Sequence, residues 1–310
     1  PEVVGAKGDA FSLYGKDAYF SRGGKLLGIS DRYQLDFRCK EVLERMDRII
    51  DRLVGEYGIG YLKIDYNIEA GVGTDNRAES CGDGLLEHNR AYICWIEHIR
   101  KKYPELVIEN CASGGNRMDY LTLGLCDVQS TSDQIDYKVY PYIAANMFSA
   151  LIPEQAAVWA YPASHAEEAQ PDRECVIMNM INGLSGRMHL ASKLYLLKGE
   201  NVALVKEAAA LTCSLDGFRK RAIPWFHRDQ PTEMDMGQVV FGLRDEKRIV
   251  AFVYRMSGAE SINICVGIPV ASVRVLYPSA SEVPLQLEGD CITLKMPYTY
   301  MARVIEIIIK

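Results

Sequence analysis

The sequence predicts an α/β protein whose strands and helices alternate up to about residue 224, followed by a separate antiparallel β domain. Short apolar runs bounded by glycine or polar turns alternate with longer segments whose apolar residues recur at helical spacing. This alternation stops near Pro224, and short strands then follow one another with turns between them. Alternation of this kind is typical of a parallel sheet covered by helices. We therefore predict an α/β domain over residues 1–224 and an antiparallel β-sandwich domain over residues 225–310.

The first predicted elements are a long loop, a helix and a strand. Residues 1–37 are rich in glycine and predict a long surface loop with a hairpin at Arg22–Lys25, and loops of that length are usually functional or act as lids. An amphipathic helix is expected over residues 39–56, with Val42, Met46 and Ile49 on its apolar face. A strand follows over residues 59–66, where apolar and polar residues alternate.

The remaining elements follow the same logic. Further helices are predicted over residues 85–103, 118–125, 139–151, 174–184 and 201–216. Further strands of the α/β domain are predicted over residues 106–110, 127–130, 156–160 and 188–190. The β domain is predicted to contain strands over residues 238–243, 248–255, 262–266, 272–277, 283–287, 291–295 and 302–309.

Composition narrows the class of protein. The chain has 310 residues and a net charge of −6, which makes nucleic acid an unexpected partner. No apolar run is long enough to cross a bilayer, so no membrane partner is expected. Nine cysteines without a CxxC pair indicate reduced thiols in a cytoplasmic protein rather than a disulfide framework. The absence of an HExxH motif or a Cys/His ligand pattern predicts no metal site.

Three predicted strands end in polar clusters. The clusters are Lys63, Asp65 and Asn67, then Cys111, Ser113 and Arg117, then Ser132, Asp133 and Asp136. Each could be ordinary turn chemistry, because Asp, Ser and Gly favour turns, and Asp133 and Asp136 could cap a helix. In a βα-repeat protein, however, the carboxyl ends of the strands carry the active site. Glycoside hydrolysis requires two carboxylates that face the same binding site, although spacing alone does not establish that reaction.

The same three clusters carry a family resemblance. Residues 63–67 read K-x-D-x-N, residues 111–119 read C-x-S-G-G-x-R-x-D, and residues 131–136 read T-S-D-x-x-D. In this order they resemble glycoside hydrolase family 36, the microbial α-galactosidases and their relatives. Pro1–Val4 is similar to the end of a further segment of that family, which follows its third barrel strand.

The resemblance implies a fold and a reaction. It implies about the last five βα units of a (β/α)8 barrel, because a whole barrel needs about 250 residues. It also implies a retaining α-galactosidase with Asp65 as nucleophile and Asp133 as general acid/base, acting without a cofactor on an α-galactoside oligosaccharide or glycoconjugate. The residues it assigns to substrate binding are Lys63, Asn67, Cys111, Ser113, Gly114, Arg117 and Asp136. The sequence leaves the oligomeric state open.

Two departures from the family pattern leave alternatives open. Ile64 and Ser130 stand where the family usually has tryptophan. We expect the loss of these aromatic rings to alter the sugar pocket, which would suit N-acetylgalactosamine or galactosamine. Galactosyl transfer of the raffinose-synthase type is a second alternative, because water and an acceptor sugar compete for the same intermediate. A third is a non-catalytic fragment with an incomplete site, since the expected first barrel strands are missing from the chain.

Overall fold

The computed structural model describes residues 3–29, 31–164, 166–167, 169–228, 231 and 237–310. The chain divides into two compact units, Pro1–Gln129 and Ser130–Lys310, which are described in turn. Pro1 and Glu2, which belong to the segment that resembles the family segment after the third barrel strand, lie outside the described residues.

The first unit begins with short strands. They are β1 (Val3–Gly5), β2 (Ser21–Arg22), β3 (Lys25–Leu26), β4 (Gly28–Ile29) and β5 (Arg32–Gln34). β2 and β3 pair antiparallel, which confirms the predicted hairpin. The predicted surface loop is wrong, because Tyr19, Phe20, Leu35 and Phe37 are almost completely buried. Their aromatic and aliphatic side chains anchor the segment in the core, although their spacing follows neither a strand nor a helix period.

Helices pack on the strands of this unit. The helices are α1 (Lys40–Asp51), α2 (Cys81–Lys102) and α3 (Tyr120–Leu123), and a turn of π-helix, Arg52–Glu56, extends α1. In α1 the buried residues include Val42 and Met46, as predicted, whereas Ile49 is 39% exposed and its predicted place on the apolar face is wrong. α2 begins where the Ser80 side chain accepts a hydrogen bond from the backbone N–H of Asp83, a helix N-cap.

The parallel sheet of the first unit positions the candidate site. Its strands are β6 (Tyr61–Asp65), β7 (Val107–Cys111) and β8 (Val128–Ser130), and β7 pairs in parallel with both neighbours. Along β6 and the residues after it, Ile64 and Tyr66 are buried while Lys63, Asp65 and Asn67 are exposed. The predicted alternation is therefore confirmed, and it turns the lysine and the carboxylate to the same side of the strand.

The second unit starts with further α/β elements. They are α4 (Tyr140–Met147), β9 (Ala156–Ala160), α5 (Arg173–Leu184), β10 (Arg187–Leu190), α6 (Glu200–Ser214) and α7 (Asp216–Arg219). β9 and β10 pair in parallel, with His189 opposite Trp159. The expected helices and strands of this part are all present, although α4 ends at Met147 and is shorter than predicted.

The C-terminal part is antiparallel, as predicted. Its strands are β11 (Ile223–Phe226), β12 (Gln238–Arg244), β13 (Arg248–Arg255), β14 (Ser261–Cys265), β15 (Val270–Tyr277), β16 (Leu285–Glu288), β17 (Cys291–Lys295) and β18 (Met301–Ile309). They form one sheet in the order β11-β12-β13-β18-β15 and another in the order β14-β17-β16. Residues of both sheets share a hydrophobic core, as in a β-sandwich. Pro224 lies inside β11, so the antiparallel sheet begins at Ile223, and the domain boundary at residue 224 stays a prediction.

The prediction of uniformly reduced thiols is wrong at one pair. Cys265 and Cys291 face each other in the register of β14 and β17, with Cα atoms 4.1 Å apart, and are joined by a disulfide. The other seven cysteines are free thiols. The cytoplasmic location stays a prediction.

The described residues contain neither a membrane-spanning helix nor a metal-binding cluster. None of the helices in that part of the chain combines the length and the apolar character needed to span a bilayer. The same residues contain no group of three His, Cys, Asp or Glu side chains placed to hold a metal ion.

Candidate active site

Asp65 is the last residue of β6, and its carboxylate is surrounded by hydrogen-bond donors. Burial alone would raise the pKa of Asp65, but hydrogen bonds from Asn67, from the Cys111 side chain and from the Ser113 backbone outweigh it. The charge of Lys63 acts in the same direction, and the net result is a lowered pKa. Asp65 is therefore held as a carboxylate.

The loop after β7 closes over the end of β6. Both the backbone N–H and the hydroxyl of Ser113 donate to Asn67 Oδ1, at 2.6 and 3.2 Å. The backbone makes this approach through positive φ angles of 45° at Ser113 and 83° at Gly114. Cys111 is buried and lies opposite Asp65 in the parallel register. Five of the predicted site residues thus lie around the Asp65 carboxylate or in the loop beside it, namely Lys63, Asn67, Cys111, Ser113 and Gly114.

Arg117 ties the same two loops together. Its Nε donates to the Tyr66 carbonyl at 3.2 Å and its Nη2 to the Ile68 carbonyl at 3.1 Å. The guanidinium also lies 3.7 Å from the centre of the Tyr66 ring, a cation–π contact. Arg117 lines a cavity of about 190 Å³ together with Tyr66, Asn67, Ile68, Glu69, Ala112 and Asn116. Its contacts support the loops, and a contact with a sugar stays a prediction.

Glu109 is a site residue that the sequence did not reveal. It lies opposite Lys63 in the register of β6 and β7, and its side chain is 2% exposed. Its Oε1 lies 3.7 Å from Lys63 Nζ, and its Oε2 accepts a 2.5 Å hydrogen bond from the Tyr61 hydroxyl. Because Lys63 acts on Asp65, the buried Glu109 helps to fix the charge that keeps Asp65 ionised.

A buried polar group supports the site from the core side. Tyr66, between Asp65 and Asn67, has its hydroxyl 2.8 Å from His88 Nε2 and accepts a hydrogen bond from Gln34 Nε2 at 2.9 Å. His88 Nδ1 accepts the backbone N–H of Phe37 at 3.1 Å, which assigns the ring proton to Nε2. Burial lowers the pKa of His88, which agrees with a neutral ring. Nothing in the local sequence around His88 indicated this role.

Asp36 completes that group. Burial would raise its pKa, but the hydrogen bonds and the charge of Arg38 outweigh burial and lower the pKa of Asp36 to about 2. Arg38 donates from Nη2 at 2.6 Å and from Nε at 3.0 Å, a two-point pairing. The charged pair sits at the edge of the aromatic core under Tyr66.

The second predicted carboxylate, Asp133, follows β8 in the other unit and is exposed. Thr131 fixes the chain there, because its hydroxyl donates to the Ala157 carbonyl at 2.7 Å and lies 3.0 Å from the Tyr140 hydroxyl. Ser132 and Asp136 make turn contacts. The Ser132 hydroxyl accepts from the backbone of Gln134 at 3.1 Å, and Asp136 Oδ1 accepts from the backbone of Lys138 at 2.9 Å.

Aromatic side chains that the sequence did not single out lie on β9 and directly after it, and β9 is hydrogen-bonded to Thr131. The rings of Trp159 and Tyr161 have centres 6.3 Å apart with an interplanar angle of 22°. His189 meets Trp159 edge-on at 5.1 Å. Burial raises the pKa of Tyr161, and the charge of Asp133 raises it further. The apolar run around Trp159 looked like an ordinary buried strand.

The two departures from the family pattern both lie in the core. Ile64 is 3% exposed and belongs to the hydrophobic cluster of the first unit, and Ser130 is fully buried. Because side chains alternate along a strand, residue 64 points away from the side that carries Asp65. The expectation that the two departures alter the sugar pocket stays a prediction.

Known proteins match this chain in sequence and in fold. The Melibiase family model matches residues 22–210. An α-galactosidase of Escherichia coli is 29% identical over 125 residues, which cover 40% of this chain and 17% of the relative.

Solved structures share the fold along the whole chain. The galactosidase domain of an α-galactosidase–sucrose kinase, AgaSK, superposes with a TM-score of 0.78 at 16% identity, covering 100% of this chain and 43% of that one. The α-galactosidase AgaA from Geobacillus stearothermophilus superposes with a TM-score of 0.76 at 13% identity, covering 100% and 44%. The chain thus spans less than half the length of these proteins. With the strand-end motifs in place and more than half of its residues matched by the family model, the chain belongs to the melibiase family.

Proposed function

We propose that the polypeptide carrying this chain is a retaining glycoside hydrolase that releases terminal α-linked galactose. The observation that carries the proposal is the surroundings of Asp65. A strand-end carboxylate with a lowered pKa, exposed and held by several donors, has the charge and the access that a nucleophile needs. Structural carboxylates such as Asp36 are instead buried against a permanent cation.

The names of related proteins support the substrate class. The Escherichia coli relative is an α-galactosidase, and solved structures of Geobacillus stearothermophilus AgaA variants contain raffinose and stachyose. The substrate we propose for this protein is accordingly an α-galactoside oligosaccharide or glycoconjugate.

The reaction would proceed in two displacements. In the first, Asp65 attacks the anomeric carbon while Asp133 gives a proton to the leaving oxygen, so that a covalent galactosyl-enzyme forms and the aglycone departs. In the second, Asp133 takes a proton from water, whose oxygen attacks the same carbon and releases Asp65. Two inversions give net retention. The mechanism requires the two carboxyl groups about 5–5.5 Å apart.

The other predicted site residues divide by their contacts. Asn67, Cys111 and Ser113 act on Asp65 directly, and Gly114 supplies the backbone turn that brings Ser113 there. For Lys63 we propose a contact with both Asp65 and the bound galactose. Arg117 and Asp136 have backbone partners, so we propose that they shape the loops around the sugar.

We also propose that the alternating elements are the last βα units of a (β/α)8 barrel. The parallel pairings β6–β7, β7–β8 and β9–β10 support it, as does the position of both acidic motifs after the carboxyl ends of strands.

The test is an assay of the full polypeptide that carries this chain. We expect turnover of 4-nitrophenyl α-galactoside, with α-galactose as the first product seen by NMR before it mutarotates. The matched substrate is 4-nitrophenyl α-N-acetylgalactosaminide, which should react far more slowly. Folded protein that turns over neither substrate would contradict the proposal, and β-galactose as the first product would overturn the retaining mechanism.

A further inference from the structure

The half-buried rings of Trp159 and Tyr161 form a small surface, here called the aromatic surface. Their planes are within 22° of parallel and their centres are 6.3 Å apart. His189 supports Trp159 edge-on, from the position opposite it on β10. The end of β9 is fixed as well, because the Tyr161 backbone N–H donates to Asn179 Oδ1 at 3.3 Å.

Hydrogen bonds join this surface to the strand end that carries Asp133. The buried Tyr140 hydroxyl lies 3.0 Å from Thr131 Oγ1 and accepts the backbone N–H of Trp159 at 3.3 Å. Thr131 also donates its own backbone N–H to the Ala157 carbonyl at 3.2 Å. The raised pKa of Tyr161, due first to burial and then to the charge of Asp133, agrees with this proximity.

The chemistry of the acid/base residue says what should lie there. A general acid protonates the oxygen of the departing group, so the departing sugar must lie against it. A pyranose ring presents C–H bonds on its faces and hydroxyls at its edge. Aromatic rings with an exposed face can bind the C–H bonds of the sugar, and the polar atoms of Tyr161 and His189 can bind its hydroxyls.

We propose that the aromatic surface of Trp159 and Tyr161 binds the pyranose ring that leaves from galactose, next to Asp133. This inference rests on the proposed function and adds a subsite to it. The surface then selects substrates in which galactose is joined to another sugar, and it also holds an acceptor sugar when one competes with water.

The experiment compares two substrates that differ in the leaving group. Melibiose, galactose α-1,6-linked to glucose, has a leaving pyranose, whereas α-galactosyl fluoride has none and needs little protonation. In the full polypeptide, Trp159→Ala and Tyr161→Ala should each lower kcat/KM for melibiose about 10- to 100-fold. For α-galactosyl fluoride, kcat/KM should stay within about two-fold. Tyr161→Phe, which keeps the ring, should retain most of the activity on melibiose.

Trp225→Phe is the matched control, because Trp225 also pairs with a histidine, at 6.3 Å from His227, but on β11 of the antiparallel sheet. Trp225→Phe should leave kcat/KM unchanged for both substrates, and thermal melting should show that every variant is folded. Equal losses on both substrates would overturn the inference, since the rings would then serve galactose or stability alone. Unchanged activity on melibiose would overturn it too. A parent enzyme inert towards both substrates would instead overturn the proposed function, and the inference with it.

Discussion

The two acidic strand ends of this protein have different neighbours. Around Asp65 the side chains are polar, with donors from Asn67, Cys111 and Ser113. Beside Asp133 they are aromatic, with Tyr140 and Tyr161 close enough for its charge to raise the pKa of both hydroxyls, although burial is the larger cause in each. Hydrogen-bond donors stabilise the charged form of a carboxylate, whereas aromatic rings stabilise it little. Under the proposed function, these different surroundings suit two different tasks, as in glycosidases that use two carboxylates.

Replacing Asp65 should have the largest effect. In the full polypeptide, Asp65→Ala should lower kcat on every α-galactoside by at least about 10⁴-fold, because no covalent intermediate can form. Added azide should restore turnover and give β-galactosyl azide, the inverted product, which NMR identifies. If azide gave the α-anomer, the assignment of nucleophile and acid would be exchanged.

Replacing Asp133 should have a large effect that depends on the leaving group. Asp133→Ala should slow melibiose hydrolysis about 10²- to 10⁴-fold, because the leaving sugar then departs without a proton. With 4-nitrophenyl α-galactoside, whose leaving group is acidic, bond cleavage should be nearly normal in a pre-steady-state burst. Equal losses in both measurements would show that Asp133 is a turn residue rather than an acid.

A third variant separates functional from structural carboxylates. Asp36 also has a lowered pKa, about 2 against an ordinary 3.8, but it is fully buried. A shift of that size corresponds to about 2 kcal/mol of stability. Because the folded-state pKa is the lower one, this stability is present above pH about 4 and is lost as the pH falls towards 2.

The expected result is that Asp36→Asn lowers the free energy of unfolding by about 2 kcal/mol at pH 7 and removes this acid dependence, measured by urea denaturation. Asp51→Asn is the control. Asp51 pairs with Lys102 at the surface and also has a lowered pKa, but its loss should cost less than about 0.5 kcal/mol. Equal losses for both variants would argue against the role given to burial.

The smallest effect concerns pH. Since the Asn67 side chain helps to lower the pKa of Asp65, Asn67→Ala should raise it. The acidic limb of the kcat/KM profile should then move to higher pH. Asn263→Ala, which removes a side chain bonded to Thr293 on the antiparallel sheet, should leave the profile in place. An unmoved limb in Asn67→Ala would mean that a different group sets it.

Much of the fold could be predicted because its pattern is local. The alternation in β6 and the apolar spacing of α2 indicated the type of each element, and the three motifs marked three strand ends. Residues 3–37 could not be predicted in this way. Tyr19, Phe20 and Leu35 are buried by contacts with distant residues, and their spacing matches no single period.

The missed parts of the site depend on register. Glu109 stood in an apolar strand, and only the pairing of β6 with β7 brings it to Lys63. Trp159 likewise stood in an apolar run, and its orientation depends on how β9 pairs with β10. The disulfide follows from the register of β14 and β17, which the scattered positions of the cysteines did not reveal.

The left-handed backbone at Ser113 has an evolutionary consequence. Its φ of 45° costs a residue other than glycine about 1 kcal/mol or more, so Ser113→Gly is a change by which the fold could gain stability. The same change removes the hydroxyl that donates to Asn67. Selection for thermal stability would therefore favour glycine at position 113, whereas selection for turnover would favour serine.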